Sequence, residues 1–364
     1  MSTHEVRIVK VGPVTPIEGA DSIVLTMIWD YPCVVKRGQF QEGDLAAFIE
    51  PDTKVPLNRI EFSFLDTGKG RDFERITTRR FRGQQSYGLL LPAPEGMVEG
   101  DNAWDHFGVE RYEPPPPRGS LGGPTDAMSG LCETGPEVNA PVYDLENIRK
   151  NNSVLVEGED DVIYSVKIHG QNARYVFDGN DMFCGSRTTW KKRPGKFIKT
   201  VTVKDEVTGE EVPKDILAPN SNWWQTLEDN PWIETWCRNN PGKVLYGEVY
   251  GTRCQGAQFA YGKPEGVFGF AVFDILVDGK WVDNERLIDD AELMAGIGET
   301  VPVVYRGKHN KELLWKLSEE SDEKIFPGQK IREGLVVKTP KERIHPKVGR
   351  IALKNVSDKY LSMK

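Results

Sequence analysis

The stretch SVKIHGQNARYVF, Ser165–Phe177, places a charged lysine inside a run that is typical of a buried strand. Val166 and Ile168 flank Lys167 with apolar, β-prone side chains, and Gly170 ends the run. Burying an ammonium group without a partner costs free energy. Two interpretations follow: Lys167 is paired in a structural salt bridge, or its amine takes part in chemistry.

The composition of the whole chain sets the class of protein. At 364 residues the chain is long enough for two domains, each with its own core. It is 38% hydrophobic and 28% charged, and no apolar run approaches the length of a membrane span. The N-terminus lacks the apolar stretch of a signal peptide, so we expect a cytoplasmic protein without membrane contact. The net charge of −8 means that any nucleic-acid surface is local.

The cysteines predict free thiols. Their number is odd, their spacing is wide and irregular, and no CxxC pair occurs. This pattern favours neither a zinc site nor a disulfide framework. The five cysteines are Cys33, Cys132, Cys184, Cys237 and Cys254.

Composition divides the chain into three parts. Up to Tyr112, short β-prone runs separated by Gly, Pro and Asp predict a small barrel. Residues 113–140 contain EPPPPRGSLGGPTDAMSG, which predicts a linker. From residue 141 onward, strand-like and helix-like segments alternate. One of them, NWWQTLEDNPWIETWCRNN, has aromatic residues at helical spacing and a proline that is expected to open a new turn or helix.

Four charged residues lie next to or within strand-like apolar segments of the last part. Glu248 lies in VLYGEVYG, Glu333 precedes GLVVK and Lys354 lies in RIALKN, in addition to Lys167. A single residue of this kind is commonly a sheet-edge salt bridge, but four in one domain favour a shared site. Carboxylates bind divalent cations and lysines neutralise phosphate. A desolvated lysine near positive charge has a lowered pKa and can act as a nucleophile. Together these residues predict phosphoryl chemistry on a nucleotide.

The order of short motifs carries a family resemblance. KIHG, the Ser186–Arg187 pair, YGEVYG, FGFAVFDI, EGLVVK and ALKN follow one another between residues 145 and 360. In this order the chain resembles ATP-dependent RNA ligases of the covalent nucleotidyltransferase superfamily. The N-terminal segments GADSIVLTMIW and TTRRFRGQQSYGLLLP resemble the OB domain of the RNA ligases typified by those of Deinococcus and Naegleria.

The resemblance implies an α+β fold class and a domain order. An N-terminal all-β OB-like barrel that binds nucleic acid is expected over residues 1–112. The Pro/Gly-rich linker follows over residues 113–140. An adenylyltransferase (nucleotidyltransferase) domain of ATP-grasp-like antiparallel sheets with helices is expected over residues 141–364.

The resemblance also implies a reaction and its catalytic residues. Lys167 would attack the α-phosphorus of ATP and carry AMP, with Mg²⁺ or Mn²⁺ as divalent cation. AMP would then pass to a 5′-phosphate, and a 3′-OH would displace it. Lys354 and His169 are the other catalytic residues that the resemblance implies. The expected partners are RNA or RNA/DNA ends, the expected role is RNA repair, and the expected state is a monomer.

Further residues match the nucleotide contacts of the family. Phe270 would stack on adenine, a contact of about 1–3 kcal/mol by analogy with base stacking. Glu248 would lie near the ribose or a metal-bound water, and Glu333 would hold the metal that lowers the lysine pKa. The other implied nucleotide contacts are Gly170, Asn172, Arg187, Lys338 and Arg149.

Two positions depart from the family pattern. Ala352 stands where relatives commonly have the first lysine of a KxK motif, and Arg350 is a candidate replacement. Val166 stands before Lys167, where many relatives have Glu. Neither change removes the nucleophile.

Two basic clusters are candidate tracks for phosphate on this acidic chain. The first, in GRDFERITTRRFRG, includes Arg79, Arg80 and Arg82 as predicted nucleic-acid contacts. The second is WKKRPGK, beginning at Trp190. Solvated charge balanced by nearby acids is the alternative for both clusters.

Two other functions remain as alternatives. An ATP-dependent DNA ligase or a capping guanylyltransferase carries its OB domain after the last motif, whereas only ten residues (364 − 354) follow Lys354. No C-terminal domain is therefore expected. A non-catalytic protein that binds RNA ends is the alternative from another class. The presence of both acids and both lysines argues against it.

Overall fold

The chain forms two compact units that alternate along the sequence. The computed structural model describes residues 4–112, 130–204 and 210–363, so residues 113–129 of the expected linker lie outside the described residues. The first unit comprises the described parts of Met1–Pro115 and Asp358–Lys364, together with Leu145–Leu155. The second comprises the described parts of Pro116–Asp144 and Val156–Ser357. The domain boundaries expected from the sequence stay a prediction.

Short strands dominate the described residues. In chain order the strands are β1 Val6–Lys10, β2 Thr15–Pro16, β3 Ile23–Ile28, β4 Tyr31–Lys36, β5 Leu45–Ile49, β6 Thr53–Pro56, β7 Phe73–Arg75, β8 Arg79–Phe81, β9 Gln84–Ser86, β10 Leu89–Pro92, β11 Glu110–Arg111, β12 Cys132–Glu133, β13 Glu146–Asn147, β14 Asp161–Lys167, β15 Gln171–Phe177, β16 Met182–Gly185, β17 Trp190–Lys191, β18 Phe197–Lys204, β19 Glu211–Leu217, β20 Val244–Tyr250, β21 Gly269–Val277, β22 Lys280–Trp281, β23 Val303–Lys308, β24 Gly334–Lys338, β25 Ile344–His345, β26 Gly349–Arg350 and β27 Ala352–Val356.

The helices are few and short. They are α1 Trp104–Phe107, α2 Asn222–Asp229, α3 Trp232–Asn239, α4 Thr252–Gln255, α5 Arg286–Asp289, α6 Ala291–Met294, α7 Lys311–Ser318 and α8 Asp358–Leu361, with 3₁₀ turns at Ile60–Leu65 and Ala257–Phe259. Strands and helices together give the α+β class that the sequence predicts.

The first unit is built from small antiparallel sheets. Their strand orders are β1-β5-β10, β2-β3-β4 and β11-β6-β7, with a ribbon of β8 and β9. Buried and less buried residues alternate along β4, as expected for a strand with one face in a core. Phe48 and Ile49 lie in two different hydrophobic clusters of this unit. The expectation of an all-β N-terminal region is confirmed.

The second unit contains two larger antiparallel sheets. One has seven strands in the order β12-β17-β16-β15-β20-β21-β22, and the other contains β27-β24-β14-β23. β14 belongs to one sheet and β15 to the other, and only Ile168, His169 and Gly170 separate them. The chain therefore crosses between the sheets directly after Lys167.

Two helices cover one face of the seven-stranded sheet. α2 begins after Ser221, whose side chain caps the helix by accepting from the amide of Trp224. Pro231 directly precedes α3, as the sequence predicts for a proline that opens a helix. Trp223, Trp224 and Trp236 are buried in one cluster with the apolar residues of the sheet. This packing fixes the strands that carry the site.

A long hairpin of β18 and β19 extends from this unit with both faces largely exposed. All five cysteines are free, and Cys132 is the one that is not buried. Within the described residues no helix is both long enough and apolar enough to cross a membrane.

Candidate active site

Lys167 and Glu333 form an ion pair at the centre of the candidate site. Lys167 ends β14 and lies opposite Gly334, the first residue of β24, so Glu333 is placed beside it. Nζ of Lys167 donates a hydrogen bond to Oε1 of Glu333 at 2.7 Å. The lysine side chain is 22% exposed and the glutamate side chain 9%.

The pair holds both of its members in the charged state. Burial would lower the pKa of the Lys167 amine, but the Glu333 carboxylate and then Glu248 raise it above its ordinary value. Burial would raise the pKa of Glu333, but Lys167, with a contribution from His169, lowers it to about 2. The amine therefore carries its proton in this state and must lose it before it can act as a nucleophile.

Glu248 approaches the same amine from the other sheet. It lies in β20, opposite Asn172 of β15 and Ala271 of β21. Burial raises the pKa of Glu248 to about 8; Lys167 opposes this shift and Glu333 adds to it. Two acids with such different pKa values beside one lysine are a feature of functional sites.

The turn after Lys167 is held by contacts from a loop. The backbone amide of His169 donates to the hydroxyl of Tyr261 at 2.8 Å. The His169 ring packs edge-on against Phe259, with centroids 4.4 Å apart. Its Nδ1 lies 3.3 Å from Oε2 of Glu333. Gly170 packs against β20, where an added Cβ would lie 2.9 Å from Cγ of Glu248. His169 and Gly170 are thus brought to the site.

Strand register places Lys354 on the same face as Lys167. The strand register pairs Val336 of β24 with both Ser165 of β14 and Lys354 of β27, so these three side chains share a face of the sheet. Lys167 lies two positions after Ser165 in β14. Side chains that differ by two positions project to the same face of a sheet. The two lysines predicted to be catalytic therefore share a face, separated laterally by two strand spacings, or about 10 Å.

Lys338 is engaged in a buried charge network. Its Nζ lies 2.5 Å from Oδ2 of Asp274, which is fully buried, and also donates to the carbonyl of Phe273. Arg350 pairs with Asp274 at 2.8 Å, and the Tyr143 hydroxyl donates to the same carboxylate at 2.6 Å. Burial would raise the pKa of Asp274, but Lys338 and then Arg350 hold it below its ordinary value. Lys338 and Arg350 act here as partners of Asp274. The nucleotide contact of Lys338 and the replacement of the missing lysine by Arg350 remain predictions.

The structure buries Phe270 in the core. Its side chain is fully buried, edge-on to Tyr175 at a centroid distance of 4.9 Å. Register pairs Ala271 with Glu248, so Phe270 lies on the opposite face from the acid. In this conformation Phe270 offers no ring face to a base. Phe273 is partly exposed and lines a cavity of about 440 Å³ together with Ser165. Phe273 lies at a bulge in the pairing of β20 with β21, which the motif FGFAVFDI does not reveal.

The remaining predicted nucleotide contacts differ in their settings. Asn172 lies opposite Glu248, and its Oδ1 is buried without a hydrogen-bond partner. Arg187 follows β16 and lies 3.4 Å from Asp144. Arg149 belongs to the first unit, where it is buried beside Asp358. The structure brings Asn172 to the acids, and the roles of Arg187 and Arg149 stay predictions.

The oxygen atoms at the site suit a divalent cation. Oδ1 of Asn172 is buried without a hydrogen bond, and Oε2 of Glu333 is buried 3.3 Å from Nδ1 of His169. Carboxylate and amide oxygens are ligands that Mg²⁺ and Mn²⁺ accept. The described residues contain no group of three or more His, Cys, Asp or Glu side chains that could hold a metal ion. A cation here would therefore need oxygens from a bound phosphate, as is usual for Mg²⁺.

The two basic clusters differ in how open they are. Arg79, Arg80 and Arg82 are exposed on and next to β8, and Arg79 lies 3.6 Å from Glu74. In the second cluster Lys191 is buried, with its Nζ 4.7 Å from the centre of the Trp223 ring. The first cluster retains the exposure that phosphate contact needs, whereas the second partly supports the fold.

Three residues at or near the site were missed by the sequence analysis. Phe259 ends a 3₁₀ turn and Tyr261 lies just after it; both contact His169, and no spacing pattern marks them. Asp274 is an acid within an apolar strand, which is the same criterion that selected Glu248. That criterion could have identified it.

Comparison with known proteins finds a matching family model for each of the two parts of the chain. A family model described as RNA ligase matches residues 160–356, which contain Lys167, His169, Glu248, Glu333 and Lys354. A second model, described as an OB-fold domain, matches residues 5–93. No curated protein matches the chain in sequence.

Solved structures share the whole fold. Naegleria gruberi RNA ligase with PPi is 21% identical, with a TM-score of 0.71 over 99% of this chain and 98% of that chain. A point mutant of that ligase with ATP and Mn is 22% identical, with a TM-score of 0.73 over 99% of each chain. Another mutant, with AMP and Mn, is 21% identical, with a TM-score of 0.70 over 100% of this chain and 99% of that chain. At these identities the likeness establishes the fold.

Proposed function

Because the chain belongs to the RNA ligase family, we propose that it joins RNA ends in an ATP-dependent reaction through a lysyl-AMP intermediate on Lys167. The ends are a 3′-OH and a 5′-phosphate, on RNA or RNA/DNA strands. The observation that carries this proposal is the 2.7 Å contact between Lys167 and Glu333, with Glu248 close enough to shift the pKa of the same amine. A lysine beside two acids, one directly before β24 and one in β20, is a nucleophile beside candidate metal ligands.

The reaction follows from the position of this amine. After losing its proton, Nζ of Lys167 forms a bond to the α-phosphorus of ATP while the bond to pyrophosphate breaks. The oxygen of a 5′-phosphate then attacks the same phosphorus, and the bond to lysine breaks. Finally the 3′-oxygen attacks the 5′-phosphorus and AMP leaves. Lys354, on the same face as Lys167, is placed to neutralise phosphate charge during these steps.

Glu333, Glu248 and Asn172 are the residues that would hold Mg²⁺ or Mn²⁺. A bound cation supplies positive charge that stabilises phosphate oxygens and lowers the pKa of the neighbouring amine. The structures of the Naegleria gruberi ligase with ATP and Mn support this choice of nucleotide and metal. Within the protein, Glu333 keeps the amine oriented through its hydrogen bond, and the loop residue Tyr261 fixes the turn beside it.

We further propose that the enzyme takes part in RNA repair, that it acts in the cytoplasm and that it is a monomer. All five thiols are free, which suits a reducing compartment. The exposed arginines of β8 are the proposed contacts to the substrate backbone. Light scattering during size-exclusion chromatography measures the oligomeric state, and a dimer would contradict this part of the proposal.

A labelling gel tests the central step. The protein is incubated with α-labelled ATP and Mg²⁺ or Mn²⁺, denatured and separated. We expect label on the protein that acid releases, as for a phosphoramidate bond. Lys167→Ala removes the nucleophile and abolishes labelling. Lys308→Ala is the matched control, because Lys308 lies in an exposed ion pair with Asp161. Equal labelling of both variants would show that Lys167 is structural.

A further inference from the structure

The first unit contains an apolar groove that the ligation chemistry does not use. Its volume is about 870 Å³, within the range of about 300–1,000 Å³ that is typical of ligand pockets. Strands β3, β4 and β10 supply aliphatic walls that include Ile23, Val35 and Leu90. Phe64 and Phe81 line the same groove, although they are 62% and 40% exposed. Two water-exposed phenylalanine rings in one groove indicate a binding surface.

The charges around the groove favour an anionic ligand. Lys36 lines it directly. Glu61 lines it too, but Arg59 pairs with this acid at 2.8 Å. Arg79 precedes Phe81 by two positions in β8, so their side chains share a face about 6.6 Å apart. The side chain of Arg79 is 53% exposed, and Glu74, its partner at 3.6 Å, lies closer to Arg71. Arg79 therefore stays open to a further anion.

We propose that this groove binds unpaired nucleotides of the substrate, with bases stacked on Phe64 and Phe81 and a phosphate on Arg79. An aromatic ring beside a cation at this spacing matches the alternation of base and phosphate along a single strand. A partner peptide with an apolar face would not need the cations. The inference rests on the proposed ligase function for its choice of substrate. The inference adds to that function that the enzyme holds RNA ends that carry a single-stranded tail.

Binding measurements on the full chain test the groove. The probe is a dye-labelled single-stranded RNA of about 12 nucleotides, within the usual range for one OB fold. Phe64→Leu and Phe81→Leu keep an apolar side chain and remove only the ring. Each change is expected to weaken binding by about fivefold to a hundredfold, the loss of one stacked base. Arg79→Ala is expected to reduce the salt slope by about 0.7.

The matched control is Phe73→Leu. Phe73 is 37% exposed in the same unit, outside the groove, with Nζ of Lys54 4.6 Å from the centre of its ring. This variant is expected to bind the strand like the parent, and all three Phe variants are expected to label with ATP like the parent. Equal affinity of the parent, Phe64→Leu and Phe81→Leu would overturn the proposal, and so would an equal loss in Phe73→Leu.

Two further outcomes separate the possible occupants and the two proposals. An apolar dye bound in the groove should be displaced by the RNA strand. If the dye stays and the groove variants keep their affinity for RNA, the groove is a protein-docking surface and the proposal fails. If the variants lose strand binding while the parent does not label with ATP, the groove is supported and the ligase function is not.

Discussion

Gly170 lies directly against Val249, because a Cβ built on Gly170 would be 2.1 Å from the Val249 carbonyl oxygen. No side chain fits between the turn after Lys167 and the backbone of β20. The glycine therefore sets the distance between the nucleophile on one sheet and Glu248 on the other.

Replacing Gly170 tests this contact. Gly170→Ala is expected to push the turn away from β20, to destabilise the fold by about 1–3 kcal/mol and to reduce labelling by ATP at least about tenfold. Denaturant unfolding and the labelling gel measure the two effects. His169→Ala serves as comparison, because it alters the neighbouring side chain without new backbone contact. Parental labelling by Gly170→Ala would contradict the close approach.

Neutralising the two acids should impair labelling without unfolding the protein. Glu333→Gln removes the partner charge of Lys167, and Glu248→Gln removes the second acid. We expect each variant to label at least about tenfold more slowly, as is usual when the groups around a metal site are altered. Single-turnover labelling measures the rate. Glu265→Gln, an exposed acid of the same unit, should label normally. Parental rates in both acid variants would remove these residues from the mechanism.

Metal removal should stop the reaction but leave the fold intact. Chelation by EDTA is expected to abolish labelling, and Mg²⁺ or Mn²⁺ should restore it. The melting temperature should not change, since the described residues contain no all-protein metal cage whose loss would unfold the chain. Calorimetry with and without EDTA measures this. Unchanged labelling in EDTA would refute the metal requirement.

Asp274 should make a large, pH-dependent contribution to stability. Asp274→Asn leaves Lys338 and Arg350 without their buried partner, which costs about 3–5 kcal/mol at neutral pH. The pKa of Asp274 lies below its unfolded value, so its contribution is present above about pH 4 and is lost as the pH falls through the folded value. The difference between parent and variant should therefore shrink in acid.

Denaturant unfolding at neutral pH and in acid measures this difference. Glu234→Gln is the matched control, because Glu234 pairs with Arg238 on an exposed helix surface. Such a pair contributes about 0.3–0.5 kcal/mol. A difference for Asp274→Asn that stays constant with pH would show that the carboxylate charge is not what stabilises the network.

Much of the fold could be predicted because strand signals are local. The β-prone runs of the first unit and the proline before α3 follow from residue type and spacing. The sequence also marked Lys167 and Glu333 as isolated charges beside apolar strands, but it did not predict that they pair with each other. The compact units could not be predicted in this way, because Leu145–Leu155 joins the first unit through long-range packing.

The face to which a side chain points and the path of a loop were the hardest features to predict. Phe270 matches a motif by position, yet strand register turns it into the core. Lys191 lies in a basic run, yet it is buried against Trp223. Tyr261 reaches His169 from a loop whose path no periodicity encodes. The direction in which a side chain points and the path of a loop both depend on tertiary contacts, and a sequence motif does not contain these contacts.

The cysteines have a practical consequence. Cys33, Cys184, Cys237 and Cys254 are buried, and burial raises the pKa of each thiol, to about 12 for Cys254. Thiolates are the reactive form, so these four react slowly with maleimides. Cys132, on the unit that carries Lys167, is partly accessible. The unmodified chain thus provides one preferred attachment point for a fluorescent reporter.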